Sequence, residues 1–595
     1  MSLERFSWQR LTAVPRVVLP RRLSHGVAGL LLALALGHAG GALAFDSEDL
    51  ERLRATGSCA ECDLSKADLA ELVRGPVDLR RADLHGAVLA GADLASAKLG
   101  EADLSGADLS DAFLEGASLI GADLEGARLE AAVLREADLT RANLQNADLS
   151  GADLYRSLLP SAKLAGANLT EAVLDASDLS GADLKGADLV GASLEDATLA
   201  RANLEGADLG GAGLAGATFD CANLAGASLP EPGSLTDRDY APPLPGTEPT
   251  EHELSEPEDF QIVQVFYGTD RCRVGAPGRP QFSAERADWL TLGTVGVTVP
   301  KAHEIGGIEQ SWWSRILGIR FGEDPNEHFT IHEITTADRA TFMQDVKETV
   351  ERARSYQRQL FVFIHGYNTN FEAAAFRTAQ IAYDLQFDSA PVMYSWPSRG
   401  SVTSYEYDQN SAARARGFLK SFLIMLQEES GADAINLIAH SMGNLALMEV
   451  LKDIQIGRGA GEKPIFNEIV LAAPDIDRDV FIRLAEQIAG IADGVTLYAS
   501  ANDLAMTSSK KWAGNVPRAG DVPTDGPVVL RGIIDTIDAS AISTSILSLN
   551  HSGYAEDKLL LNDIGLLWRS GAPPFDRNPI LRPQPADAPE YWQFP

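Results

Sequence analysis

At 595 residues the chain is too long for a single hydrophobic core and must divide into several units. Its net charge of −34 and pI near 4.6 argue against nucleic acid or an anionic membrane surface as a partner. Four cysteines in this length exclude a fold built on a disulfide framework.

The first 44 residues have the layout of an export signal. Arg16, Arg21 and Arg22 precede an apolar run from Val27 to Gly37, and Ala42-Leu43-Ala44 offers a small-x-small cleavage site before Phe45. The run is short and Gly-rich for a membrane span, so residues 1–44 are expected to be a signal peptide, with an uncleaved anchor as the alternative. No other stretch approaches membrane length, and no stable span is expected after cleavage. The protein is therefore expected in the periplasm or outside the cell, where cysteines oxidise.

Residues 45–62 form an N-terminal cap that carries Cys59-Ala60-Glu61-Cys62, a spacing suited to a local disulfide or half a metal site. No second pair follows, so no metal is expected. From 63 to 230 a large apolar residue recurs every fifth position, from Leu64 and Leu69, past an interruption at Arg74, through Leu79, Leu84 and Leu89 to Leu224 and Leu229. A small residue, usually Ala, stands two places before each, as at Ala82, Ala92, Ala122 and Ala152. Period five fits neither helix nor strand. It requires a coil whose sides are five residues long, with Leu and Ala inside and Asp, Asn and Gly at the corners.

The Gly-Ala-Asp-Leu motifs at Gly121–Leu124 and Gly181–Leu184 resemble those of pentapeptide-repeat proteins. That resemblance implies a right-handed quadrilateral β-helix of some eight coils, a rod about 35–40 Å long at a strand spacing of about 4.8 Å. Stability in such a rod is nearly one-dimensional. Its expected role is a spacer or an interaction surface for a protein partner. Cys221 and Cys272 are read as two unpaired thiols, with a bridge from rod to second domain as the alternative.

Residues 231–258, rich in Pro and Glu, are a semi-extended linker. From 259 to 575 strand and helix patterns alternate, and 576–595 reads as a C-terminal tail. Strands are expected at 260–267, 290–299, 328–334, 360–366, 391–396, 435–439, 468–473, 495–499 and 528–537, with helices at 339–354, 371–385, 411–428 and 444–451. Alternation of this kind predicts a doubly wound, mainly parallel sheet that binds ligand at the carboxyl ends of its strands.

Ile435-Asn436-Leu437-Ile438-Ala439-His440-Ser441-Met442-Gly443 reads as strand, sharp turn and helix start, the context of a nucleophile elbow. Ala439 and Gly443 are the small residues two before and two after Ser441, with Ala439 in place of the usual Gly. A serine hydroxyl needs a base. Of ten histidines only His551 follows Ser441, which satisfies the order serine, acid, histidine. The acid is expected after strand 495–499, at Asp503, with Asp475 and Asp477 as fallbacks. The oxyanion donors are expected to be the Met442 and Tyr367 amides. His365-Gly366 lets the second loop approach closely, and His365 serves either there or beneath the nucleophile loop.

Phe363-Ile364-His365-Gly366-Tyr367-Asn368-Thr369, Tyr394-Ser395-Trp396-Pro397-Ser398, Ala439–Gly443, Ala472–Asp477 and Asp535–Ala539 together resemble a family of bacterial α/β-hydrolases of the esterase/lipase superfamily. The resemblance implies a triad of Ser441, Asp503 and His551 and no particular substrate. Trp312-Trp313 lies in an apolar segment that suits a core wall or a lid. The expected function is an exported serine hydrolase acting on a small-molecule or lipid ester through an acyl-serine, without cofactor. The alternative is an inactive scaffold, an acidic rod joined to a degenerate hydrolase fold.

Overall fold

The computed structural model describes residues 45–230, 259–275, 280–305, 307–309, 324–400, 404–458, 462–501, 516–524, 526–542, 554–578, 580–584 and 590–595. Residues 45–595 group as one unit. The expected signal peptide, the linker, Trp312-Trp313, Asp503 and His551 lie outside the described residues. Among the described residues no helix is long and apolar enough to cross a membrane.

Helix α1 (Ser47–Thr56) opens the described chain. The Asp46 carboxylate accepts from the Glu48 amide, and Gly57, at φ 63°, ends the helix by donating to Leu53 O. The Cys59–Cys62 disulfide follows, and Leu53 packs onto the first coil. From Ser58 onward, parallel bridges join residues twenty apart, as at Ser58 to Asp78, Asp83 to Asp103 and Asp208 to Ser228. Twenty residues are four pentapeptides, so each coil takes up four repeats. Leu84, Leu104, Leu124 and Leu144 stack in its interior, with Ala82, Ala102, Ala122 and Ala142 beside them. Backbone bonds zip the coils: Leu84 N donates to Asp103 O at 2.7 Å, and Asp103 N to Ala82 O at 3.0 Å.

The corners need left-handed backbone. Ala131, Glu136, Arg141 and Asn146 take φ of 55°, 56°, 60° and 56° there. Each such residue costs about 1–2 kcal/mol. The cost is offset where the corner amide bonds the next coil, as Arg141 N does to Pro160 O at 3.0 Å. The interruption seen in the sequence at Arg74 is a hitch in register: Arg74 bridges Asp93 and Val73 fills the inward place.

The end of the rod is fastened to the following sheet. Cys221 and Cys272, expected as unpaired thiols, instead form a disulfide across 51 residues. Cys221 N donates to Arg273 O at 2.7 Å, so backbone pairing brings the two sulfurs together. Separation in sequence hides that pairing. Arg201 and Asp288 add an ion pair at 3.5 Å.

Among the described residues the sheet has eleven strands: β1 (Phe260–Val274), β2 (Gln281–Pro300), β3 (Thr330–Ala337), β4 (Gln359–Ile364), β5 (Ala390–Ser395), β6 (Ala434–His440), β7 (Phe466–Ala472), β8 (Ala492–Ala499), β9 (Asp535–Asp538), β10 (Arg582–Gln584) and β11 (Tyr591–Gln593). Their order is β10-β11-β9-β8-β7-β6-β4-β5-β1-β2-β3. Pairings from β11 to β1 are parallel; only β1–β2, β2–β3 and β10–β11 are antiparallel. Helices α2 (Arg339–Arg352), α4 (Tyr405–Glu429), α5 (Gly443–Ile456) and α6 (Arg478–Gln487) bury apolar stripes against one face. Helices α3 (Phe371–Asp384) and α7 (Tyr554–Ser570) cover the other.

Two expectations need correction. Residues 576–595 are not a tail, because β10 and β11 extend the sheet, with Trp592 opposite Ile537 and Phe594 buried. The strand expected over 528–537 shortens to β9, because Gly532, at φ 76°, turns the chain and bridges Leu530 back to Ile534.

Candidate active site

Ser441 stands on the turn between β6 and α5. Its φ of 50° is left-handed, an unusual state for a side chain with a β-carbon. The neighbours hold it there. Ser441 N donates to Ala472 O at 3.0 Å, and its carbonyl accepts from Asp475 N at 3.2 Å. The fully buried Asn444 side chain donates to both Ser441 O and Ala472 O at 3.0 Å, pinning the turn to β7.

Packing explains the small residues. A β-carbon on Gly443 would lie 2.4 Å from His365 O and 3.0 Å from Ile364 O, so α5 starts against the end of β4 only because Gly443 has none. Ala439 pairs with Ile364 in the same register and is fully buried. A β-carbon on Gly366 would lie 2.6 Å from His440 Nδ1 and 2.9 Å from Ser441 Cβ. The loop after β4 thus runs directly against the serine. It carries Tyr367, whose ring meets Tyr405 edge-on at 5.4 Å. Across the turn, Met442 opens α5, where first-turn amides lack partners within the helix.

His365 lies beneath this loop. Its ring stacks on Trp396 at 4.8 Å, and Trp396 Nε1 donates to His365 O at 2.8 Å. Burial, with the Arg271 guanidinium beside it, pulls the imidazole down to about 3, so it is neutral. The hydrogen-bond network assigns the proton to Nδ1, which donates to Gly366 O at 2.8 Å. Nε2, which also lies 3.1 Å from Trp396 O, is then left to accept from the Ser395 hydroxyl at 3.3 Å and from Arg271 Nη2 at 3.4 Å.

Both fallback acids are hydrogen-bonded. Asp477 caps α6, accepting from Asp479 N and Val480 N at 3.0 Å. Asp475 is buried beside the elbow, takes the Tyr405 hydroxyl at 2.9 Å and pairs with Arg518 at 3.2 Å. The strands that lead to Asp503 and His551 are parallel neighbours, Ala499 pairing with Asp538, and they end at the same rim as β6.

Arg271, Asp408, Ser398 and Asn444 also build this site, and none stands out in the sequence. The strand read as ending at Tyr267 runs on to Val274 and brings Arg271 in. Ser398 is the last residue of the motif at 394–398 and Asn444 directly follows the one at 439–443, which is the one signal that pointed toward them.

Residues 338–567 match the family model described as an alpha/beta hydrolase of unknown function, DUF900. Models of pentapeptide repeats match between 78 and 231. The chain carries pentapeptide repeats and a DUF900 α/β-hydrolase domain. Strands β1 to β3 precede the matched span of DUF900, and the Ser441 turn and Gly366 loop fall inside it.

Solved structures match over the repeats. HetL, a pentapeptide repeat protein involved in heterocyst differentiation regulation from the cyanobacterium Nostoc sp. strain PCC 7120, is 34% identical, with 31% of this chain and 98% of HetL covered and a TM-score of 0.22. QnrB1, a plasmid-mediated fluoroquinolone resistance protein, is 21% identical over 28% of this chain and 88% of its own, at a TM-score of 0.16. A pentapeptide repeat protein from the Arabidopsis thaliana thylakoid lumen is 26% identical over 22% and 72%, at 0.10. None of the curated proteins matches the chain.

Proposed function

We propose that the DUF900 domain is an exported serine hydrolase that cleaves carboxylic esters. The observation that carries this reading is the left-handed Ser441, held between β6 and α5 with the Gly366 loop pressed against its β-carbon. Ser441 Oγ attacks the ester carbonyl while His551 takes its proton, and Asp503 orients and stabilises the imidazolium. The Met442 and Tyr367 amides hold the oxyanion. Collapse of the tetrahedral intermediate breaks the ester C–O bond, and the alcohol leaves with the proton from His551. Water, deprotonated by the same imidazole, then frees the acid and restores the serine.

Two disulfides support export, because they persist in oxidising compartments. The pentapeptide repeats, taken as a right-handed quadrilateral rod, present the enzyme to a protein partner or to the envelope.

A fluorophosphonate probe tests the reading. Wild type is expected to take the label and Ser441→Ala to take none. Folded wild type that takes no label and hydrolyses no p-nitrophenyl ester of any chain length overturns it. Asp503→Asn is expected to cost about 10³–10⁴-fold in kcat, and Asp475→Asn far less.

A further inference from the structure

We infer that Arg271, on β1 and outside the matched hydrolase span, is the positioning residue that sets the oxyanion loop. This rests on the serine-hydrolase reading above. The Arg271 side chain is fully enclosed, and its guanidinium reaches five groups, one of them Ser283 O at 3.4 Å on β2. It donates to Thr369 O at 2.7 Å, Ser398 O at 2.9 Å and Ser395 Oγ at 2.8 Å, and lies 3.4 Å from His365 Nε2. Burial lowers its pKa to about 10, so it remains a cation at neutral pH.

The opposing charge grips the same loop from the other side. Asp408, at the start of α4, accepts from Asn368 N at 3.3 Å, Arg399 N at 2.9 Å and the Ser398 hydroxyl at 2.6 Å. Ser398 Oγ in turn accepts from Thr369 N at 3.1 Å. The two residues after Tyr367 are therefore fixed at three backbone atoms: Asn368 N, Thr369 N and Thr369 O. Asn368 is itself left-handed, at φ 58°, so the loop needs such restraint.

A planar guanidinium suits this place because one rigid fork reaches several carbonyls at once. A buried cation among carbonyls is costly for stability alone. Here it restrains the segment bearing a proposed oxyanion donor, and a donor displaced by about 1 Å costs about 10²-fold in rate. Arg271 touches no substrate and acts through the loop.

The test has three variants and two readouts. Arg271→Met is expected to lose about 10²-fold in kcat at unchanged KM, and Arg271→Lys to recover about tenfold of that loss. Ser398→Ala, which removes one anchor and no buried cation, is expected to lose about tenfold. The second readout does not need turnover: amide exchange in the 365–369 peptide should quicken at least tenfold in Arg271→Met and Ser398→Ala. Wild-type kcat in a folded Arg271→Met overturns the inference. If that variant fails to fold, wild-type kcat and exchange in Ser398→Ala overturn it instead. An inactive, unlabelled wild type sinks the hydrolase reading, while exchange still decides whether Arg271 and Ser398 hold the loop.

Discussion

Gly366 and Ser441 approach so closely that a β-carbon on the glycine would stand 2.9 Å from that of the serine. The contact joins two strands, β4 and β6, that are neighbours in the sheet. Gly366→Ala must therefore push the loop off the elbow. The proposed esterase activity should fall by about 10²-fold or more, and stability by about 1–3 kcal/mol. Probe labelling and thermal unfolding of the same sample check both.

Gly443→Ala should be worse for folding. Its β-carbon would meet backbone at 2.4 Å, and a strand end cannot swing aside as a side chain can. Soluble yield and melting temperature should both drop below those of Gly366→Ala.

The site was legible in the sequence where neighbours in the chain build it. Small residues around Ser441 and the His365-Gly366 pair follow from steric demands within a few residues. Arg271 was not legible, because its partners Ser395, Ser398 and Thr369 lie about a hundred residues away and no local pattern marks them. The rod was legible because its period is its structure. The disulfide at its end was not, since only the pairing of Cys221 with Arg273 aligns the sulfurs. Strands β10 and β11 escaped notice because three-residue strands, one holding Pro583, leave no alternation to read.

His303 links two parts of the hydrolase domain electrostatically. Its ring is enclosed, with Nδ1 2.9 Å from Glu309 and Nε2 2.9 Å from Asp384 at the end of α3. Burial disfavours the imidazolium, but hydrogen bonds to Asp384 and Glu309 outweigh it and raise the pKa to about 9. A pKa raised on folding adds stability that is full below the unfolded value near 6.5 and lost as pH climbs through about 9. At its fullest the contribution is on the order of 3 kcal/mol. Melting temperature should fall between pH 7 and pH 9.5, and His303→Gln should flatten that slope.

Cys221 and Cys272 close a loop of 51 residues, worth about 4 kcal/mol in chain entropy. The double variant with serine at both positions should unfold at lower temperature, checked by thermal unfolding. Reduction with dithiothreitol should lower the unfolding temperature of wild type more than that of the variant, which keeps the Cys59–Cys62 bridge alone.

Within the rod, Leu144→Ala should cost about 2–5 kcal/mol, because neighbouring coils cannot collapse into the void. Amide exchange should rise chiefly in the adjoining coils and spare β1 to β11.

Since each coil uses twenty residues and the final one is clamped at Cys221, the number of repeats sets a direction as well as a length. Inserting a single pentapeptide would swing α1, and whatever precedes it, a quarter of the way around the axis. Only additions or deletions of whole coils leave that heading unchanged. Lineages that lengthen this rod while keeping its far end aimed at one target should therefore differ by multiples of twenty residues.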